Sequence, residues 1–405
     1  MNPRWLAPLC FSAAAMCIAS PGRAGVWGAQ PVLGVSADYS SNPALLDLPN
    51  TAETHAALLL DAPTTYVGDA FKLSILPSFR LSDSQGYSSL DSDYEHLNVR
   101  GEFDADLDIF TATAGVARDS SLYHDYLLNG STGVRRDTAT ADLNWDRQLS
   151  ERLDFNTDLN SIRVRYAEAP GTATLIDYKY TSLTPTLTWS QSERAKISVS
   201  ANAGRYDSLD GQTESTSATL QLGYVKQLTE IWALSASAGY SRADNELHTE
   251  ELSLVDTPGG PTIVLVPATV KSTQNGSVYL VNLSRQTQLL LLSAVASRQL
   301  MPTGFAFLSR QDNYELKAGY NASERWTFSG DVHRVNYQQP ESTGAFVDLN
   351  ITYFQLSAAW QWTEHWTVTM NATRVMERYG APSIDVASSG VSLAFSRQFN
   401  WKQIQ

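Results

Sequence analysis

Four aspartates form a compact group of like-charged side chains in the sequence. Asp142 and Asp146 alternate with the apolar residues of one segment, and Asp154 and Asp158 do the same in the next. Alternate side chains of an extended strand point to the same face, so these carboxylates should share one polar surface. On the wall of a water-filled channel, such charges set the ionic selectivity.

Further charged residues alternate with apolar ones in the same way. Arg163 and Arg165 follow the aspartates, and a β-bulge near residues 160–161 would turn them toward the same polar face. The remaining candidates for that face are Lys72, Arg80, Arg100, Glu102, Glu315, Lys317 and Asp331. A mixed set of acids and bases can also form cross-strand ion pairs that only brace the wall of a barrel. The sequence leaves both interpretations open.

The histidines indicate neither a metal site nor a catalytic centre. They are scattered without paired metal-ligand spacing, at positions His55, His96, His124, His248, His333 and His365. Ser329, Asp331 and His333 share one predicted strand face. Side chains two residues apart on a strand are about 6.6 Å apart along its axis, which is too far for a direct proton relay. We therefore expect no enzyme activity, no metal and no cofactor.

A recurring turn organises the elements that position these side chains. A serine or threonine followed by glutamate separates alternating segments at Ser150, Ser192, Thr229, Ser323 and Thr363. These turns are 42, 37, 94 and 40 residues apart, and a weaker copy at Thr287 divides the 94 into 58 and 36. The recurrence predicts a repeated unit of strand, short turn, strand and longer loop. The whole chain then holds 18 strands, an even number, as expected for a bacterial barrel. The longer connections include 41–53, 119–134 and 243–271.

The aromatic residues indicate that this all-β fold spans a membrane. Tryptophans lie beside the short turns at Trp145, Trp189, Trp232, Trp326, Trp362 and Trp366. Tyrosines lie at the opposite strand ends, at Tyr39, Tyr166, Tyr206, Tyr240 and Tyr337. Two aromatic girdles match the two interfaces of a bilayer, whereas a soluble sandwich would not sort tryptophan from tyrosine. We predict a transmembrane antiparallel up-and-down β-barrel in lipid, with the short turns in the periplasm.

The net charge and the N-terminal residues limit the possible partners and the extent of the barrel. The formal net charge is −13, which argues against nucleic-acid binding. Residues 1–24 have the basic start, apolar stretch and small residues of a cleaved signal peptide, so the barrel should occupy residues 25–405. Cys10 and Cys17 both fall in this signal. The mature chain would therefore lack disulfides.

The two ends of the barrel region carry recognisable motifs. Residues 390–399 begin with Gly390, alternate apolar residues and end with Phe399, which resembles the C-terminal assembly signal of outer-membrane proteins. The first predicted strand runs through Tyr39 and is followed by Asn42 and Pro43. Together with the serine-glutamate turns and the hairpin repeat, this pattern resembles the beta-barrel porin-2 family.

That resemblance implies an 18-strand barrel in the outer membrane of a Gram-negative bacterium, associated with exopolysaccharide secretion. It further implies a polysaccharide in the lumen and a periplasmic polysaccharide-export protein as partner. Two alternatives remain open. One is a general small-solute porin that favours cations, and the other is a structural or adhesive barrel that acts through loops 119–134 and 243–271.

Overall fold

The computed structural model describes most of the chain after residue 24. The described residues are 25–43, 45, 52–84, 94–120, 134–167, 175–257, 260–304, 308–338, 349–379, 384–399 and 401–402. The predicted signal peptide, residues 1–24, lies outside this set, as do most of loops 41–53 and 119–134. No helix in the described residues is long and apolar enough to cross a membrane.

The described elements are β-strands, which we number in the order in which they form the wall. They are β1 (Val26–Ala29 and Val32–Ser40), β2 (Glu53–Asp61 and Thr64–Val67), β3 (Phe71–Ser84), β4 (Tyr94–Ala105), β5 (Asp108–Ser120), β6 (Arg135–Ser150), β7 (Leu153–Tyr166), β8 (Tyr178–Ser192), β9 (Ala195–Ser208), β10 (Thr213–Gln227), β11 (Trp232–Thr257), β12 (Gly260–Gln286), β13 (Leu290–Pro302), β14 (Leu308–Asn321), β15 (Trp326–Gln338), β16 (Leu349–Gln361), β17 (Trp366–Tyr379) and β18 (Ile384–Gln398 and Trp401–Lys402).

The strands close into a single barrel. Each strand pairs antiparallel with its neighbour in the chain, and β18 returns to pair with β1 from Gln398 opposite Val32 to Gly390 opposite Ser40. Closure leaves no unpaired edge at the seam, which a lipid environment requires. The predicted all-β, 18-strand, up-and-down barrel is confirmed.

Prolines account for two of the three interrupted strands. The register runs unchanged across each interruption, so both segments belong to one strand. Pro31 in β1 and Pro63 in β2 have no N–H to donate to the ladder. Their carbonyls still accept hydrogen bonds, from Phe399 N at 2.7 Å and from Gln30 N at 3.0 Å.

The serine-glutamate turns are structural corners. Leu290 N donates to Thr287 Oγ1 at 2.9 Å, and Trp232 N donates to Thr229 Oγ1 at 3.1 Å. The Ser323 and Thr363 hydroxyls accept equivalent bonds from the first residues of β15 and β17. A short polar side chain that caps the turn explains the repeat by geometry.

The outer face of the barrel carries an apolar belt. Large apolar side chains alternate along the strands and are exposed, for example Leu356 at 67% and Leu220 at 61%. Trp189 and Trp326 are exposed at the short-turn end, and Tyr240 is exposed toward the other end. A belt of this kind needs lipid to cover it. The barrel is therefore an outer-membrane protein of a Gram-negative bacterium, and we assign its short turns to the periplasm by the general rule for such barrels.

Two expectations about the extracellular half were wrong. Tyr166, Tyr206 and Tyr337 do not join the outer girdle, because the register places them on the inner face with buried apolar residues. Residues 243–271 are mostly not a loop. They continue β11 and β12 as a two-stranded arm whose pairing extends to Thr257 opposite Gly260.

The belt predicts that neighbouring positions in β16 differ in how strongly a charged residue destabilises the barrel. We expect Leu356→Arg to destabilise the barrel by about 2–4 kcal/mol, because it places a charge near the middle of the lipid face. Ser357→Arg, one residue farther on and directed inward, should cost much less. Urea-induced unfolding of the barrel in lipid vesicles, followed by tryptophan fluorescence, measures both. Equal destabilisation would contradict the assigned faces.

Candidate functional site: the lumen and its mouth

One wall of the lumen, on β3 and β4, carries ion-paired charges. Lys72 Nζ lies 2.7 Å from Glu102 Oε1, its partner in the register, and Arg100 lies 3.7 Å from the same carboxylate. Arg80 reaches Asp38 of β1 at 2.9 Å. The structure thus places four predicted residues on the inner face, where ion pairs neutralise most of their charge. They are Lys72, Arg80, Arg100 and Glu102.

A second charged group lies on β14 and β15. Lys317 Nζ lies 2.5 Å from Glu315 Oε1, and Asp331 is opposite Lys317 in the register. His333 is opposite Glu315. These side chains also face inward, since Leu316 and Val332 between them belong to the exposed apolar face. In the described part of the chain, no group of three or more His, Cys, Asp or Glu residues is arranged to hold a metal ion.

The wall on β6 and β7 is acidic. Asp142 and Asp146 of β6 and Asp154 and Asp158 of β7 all lie on the inner face. Asn156 Nδ2 donates to Asp146 Oδ1 at 2.6 Å, and Asp158 lies opposite Asn144, two residues along β6 from Asp142. Among the ion pairs of the described residues, none involves any of these four aspartates. This wall therefore keeps its negative charge uncompensated.

The predicted bulge in β7 does not exist, and this changes the position of two arginines. The β6–β7 register is continuous from Asp154 to Tyr166. Arg163 and Arg165 consequently lie on the outer face, and Val164 between them points inward, fully buried. Its partners there are Tyr178 and Tyr206, so an apolar run that was predicted to face lipid instead lies on the inner face, covered by protein.

The wall on β8 to β11 is lined mainly by hydroxyl and amide groups. Its inner-face polar residues are Ser182, Thr184, Thr186, Thr188, Ser190, Ser198, Ser200, Asn202, Ser215, Ser217, Thr219, Gln221, Ser235, Ser237 and Ser241. Lys196 adds one charge at the periplasmic end of β9. Such a surface can hydrogen-bond uncharged polar solutes, and it lies beside the acidic wall.

The extracellular end of the lumen, which we call the mouth, is narrowed by a hairpin that folds inward. The pairing of β12 with β13 ends at Tyr279 and Arg298, whereas β13 and β14 stay paired up to Pro302 and Leu308. The end of this hairpin, which we call the tip, comprises the described residues 299–304 and 308–309 and leaves the wall, whereas β14 pairs with β15 from Arg310 onward. Residues 305–307 lie outside the described set.

The tip is anchored on the opposite wall by apolar contacts and hydrogen bonds. Leu308 is fully buried in a cluster with Val164 of β7 and Tyr206 of β9. Tyr206 Oη donates to the Thr303 carbonyl at 3.3 Å, and Ile176 N donates to the Gly304 carbonyl at 2.9 Å. A Cβ atom at Gly304 would come within 2.6 Å of Tyr166 Oη, so a larger residue there would displace the Tyr166 ring.

A second segment folds inward on the other side of the mouth. Leu45, with φ of 49°, packs against the inward-facing Leu349, Ile351 and Val386. Asn42 Nδ2 donates to the Ala387 carbonyl at 3.3 Å. The sequence does not predict these two inward segments, because the residues that anchor them are distant in the chain.

No family model and no curated protein matches this chain. Among solved structures, OpdO of Pseudomonas aeruginosa is 11% identical, with 93% of this chain and 98% of that chain covered and a TM-score of 0.48. OccK2 (OpdF) of the same organism, solved with glucuronate, is 10% identical with 92% and 98% covered and a TM-score of 0.46. The ferric-catecholate import receptor Fiu of E. coli K12 is 10% identical, with 91% and 81% covered and a TM-score of 0.45. Such likeness concerns the barrel fold alone, and the association with exopolysaccharide systems gains no support from it.

Proposed function

We propose that the protein is a passive outer-membrane channel for small polar solutes. The main observation in support of this proposal is the narrowed mouth. The hairpin tip contacts strands β7 to β9, so it crosses part of the lumen and reduces the cross-sectional area open to a solute. A polar lumen behind a narrow entrance suits molecules that cross singly, and it needs no catalytic chemistry.

The charges of the lumen add a preference for cations. The basic groups on β3, and Arg100 on β4, are engaged by nearby carboxylates. The four aspartates of β6 and β7 have no cationic partner in the described residues, so their negative potential remains available to a passing ion. Fixed carboxylates on a pore wall favour cations over anions.

Export of a secreted polysaccharide is the second candidate. The hydroxyl-lined wall on β8 to β11 favours it, because hydroxyl and amide groups can exchange hydrogen bonds with sugars. A periplasmic export protein would then supply the polymer at the short-turn end. The inward tip argues against this function, because a continuous polymer would have to pass it or displace it.

Solute size separates the two candidates. In proteoliposome swelling with the full-length mature protein, we expect monosaccharides and amino acids to enter quickly and trisaccharides to enter slowly. Vesicles without protein provide the baseline. If long oligosaccharides enter as fast as monosaccharides, or if deletion of the gene abolishes surface polysaccharide, the small-solute proposal is wrong and the export candidate stands.

A further inference from the structure

Two like charges lie side by side on the lipid-facing side of β7 and β8. Arg163 and Lys179 are directly opposite each other in the register, and both side chains are exposed. Like charges in directly opposed positions of an antiparallel pair repel and destabilise the pair. A bound anion between them would turn this repulsion into attraction.

Neither cation is neutralised by its other neighbours. Arg163 has Ala139 of β6 on its far side, and Lys179 has Asp207 of β9. Asp207 is already engaged, since Arg205 Nε donates to its carboxylate at 2.8 Å. Within the part of the chain that the structure describes, no ion pair involves Arg163 or Lys179.

This arrangement differs from the rest of the extracellular rim. Elsewhere, most outward cations lie next to a carboxylate that pairs with them. These pairs are Arg118 with Asp137 at 2.8 Å, Arg205 with Asp207 at 2.8 Å, Arg242 with Asp244 at 3.0 Å, Lys271 with Glu246 at 2.7 Å, Arg298 with Asp312 at 2.5 Å and Arg378 with Asp385 at 2.5 Å. The β7–β8 position therefore combines two directly opposed cations, neither of which forms an ion pair in the described residues.

The position of the two cations along the barrel axis matches the level of the lipid headgroups. They lie ten residues along the strands from the periplasmic pair of Leu153 and Trp189. At about 3.3 Å per residue and a strand tilt of about 40°, this distance equals an apolar band about 25 Å tall. Directly below the cations are the hydroxyls of Ser161 and Thr181, 3.3 Å apart.

The apolar surface begins just beneath these hydroxyls. Leu159 and Leu183 are opposite each other in the register, with exposed fractions of 40% and 45%. A molecule that occupies this part of the outer face thus meets cations at the top, hydroxyls in the middle and an apolar wall below. The order matches an amphiphile with an anionic headgroup and acyl chains.

We propose that Arg163 and Lys179 bind a phosphate group of a phosphorylated glycolipid in the outer leaflet. The planar guanidinium of Arg163 can donate two parallel hydrogen bonds to phosphate oxygens, and the Lys179 ammonium adds a second charge. The apolar surface below favours a lipid phosphate over free phosphate, because it contacts the acyl chains. The position of Arg163 on the outer face, rather than in the lumen, makes this role available.

The test measures lipid binding by the purified full-length mature protein in detergent, with native mass spectrometry. The probe is diphosphorylated lipid A, and the same lipid without phosphates is the reference. We expect the double variant Arg163→Gln/Lys179→Gln to bind diphosphorylated lipid A about tenfold more weakly than the unaltered protein, equivalent to about 1.4 kcal/mol. The matched variant Arg242→Gln/Lys271→Gln removes two paired cations at the same rim and should change binding little.

A further variant keeps the proposal falsifiable if the double variant folds poorly. Arg163→Glu creates an opposite-charge pair with Lys179 and lies opposite the uncharged Ala139 on its other side, so the barrel should fold well and still lose the lipid. The proposal is overturned if these variants bind lipid A as the unaltered protein does, or if dephosphorylated lipid binds equally. It is also overturned if millimolar inorganic phosphate displaces the lipid fully, because the site would then be one for free phosphate.

Discussion

Replacing the inward hairpin tip with a short turn should raise the single-channel conductance severalfold. Leu300 and Arg310 are opposite each other in the β13–β14 register, so an Asn-Gly turn can join them in place of residues 301–309. The change removes Leu308 and Thr303, which anchor the tip to the opposite wall. Planar-bilayer recording measures the conductance, and we also expect larger sugars to enter vesicles faster.

The arm on β11 and β12 provides the matched control. Thr249 and Ala268 are opposite each other in the register, and an Asn-Gly turn between them removes residues 250–267. Beyond His248, whose N donates to the Gln212 carbonyl at 2.7 Å, the described residues of the arm pair only with one another, so removal of the arm should leave the lumen unchanged. If trimming the tip leaves conductance unaltered, or if trimming the arm raises it equally, the tip does not limit the pore. Loss of cell-surface binding with the arm alone would instead support the adhesive alternative.

The strands and turns could be predicted from the sequence because their causes are local. Alternation depends on neighbouring residues, and the hydroxyl of Thr229 accepts a hydrogen bond from an N–H only three residues away. These signals predicted the strand count and the closure of the barrel. The acidic wall could also be predicted from the sequence, because Asp142 and Asp158 alternate with the apolar residues of their strands without interruption.

The mouth could not be predicted, because its causes are distant in sequence. Val164 and Tyr166 look like lipid-facing residues when the lumen is assumed to be wet, and a bulge then follows as the way to turn Arg163 inward. The apolar face around Val164 is in fact covered by Leu308, which belongs to a hairpin about 140 residues later in the chain. A sequence pattern reports that a face is apolar, but it does not report whether lipid or protein covers it.

The acidic wall should control ionic selectivity. We expect the quadruple variant Asp142→Asn, Asp146→Asn, Asp154→Asn and Asp158→Asn to lose most of its preference for cations. The reason is that these carboxylates have no cationic partner in the described residues, whereas an ion-paired group presents little net charge to a passing ion. The reversal potential under a potassium chloride gradient measures the change. Asparagine keeps the side-chain shape, so the conductance for uncharged solutes should stay nearly constant.

A paired-charge control separates the acidic wall from charge removal in general. Lys72→Gln/Glu102→Gln removes one base and one acid that already neutralise each other at 2.7 Å, so the selectivity should hardly move. Raising the salt concentration should reduce the difference between the quadruple variant and the unaltered protein, because the Debye length falls from about 10 Å at 0.1 M to about 3 Å at 1 M. An unchanged reversal potential in the quadruple variant at low salt would show that the aspartates lie off the ion path. The paired charges of β3 and β4 would then be the next groups to test, since separating Lys72 from Glu102 exposes a net charge that the intact pair conceals.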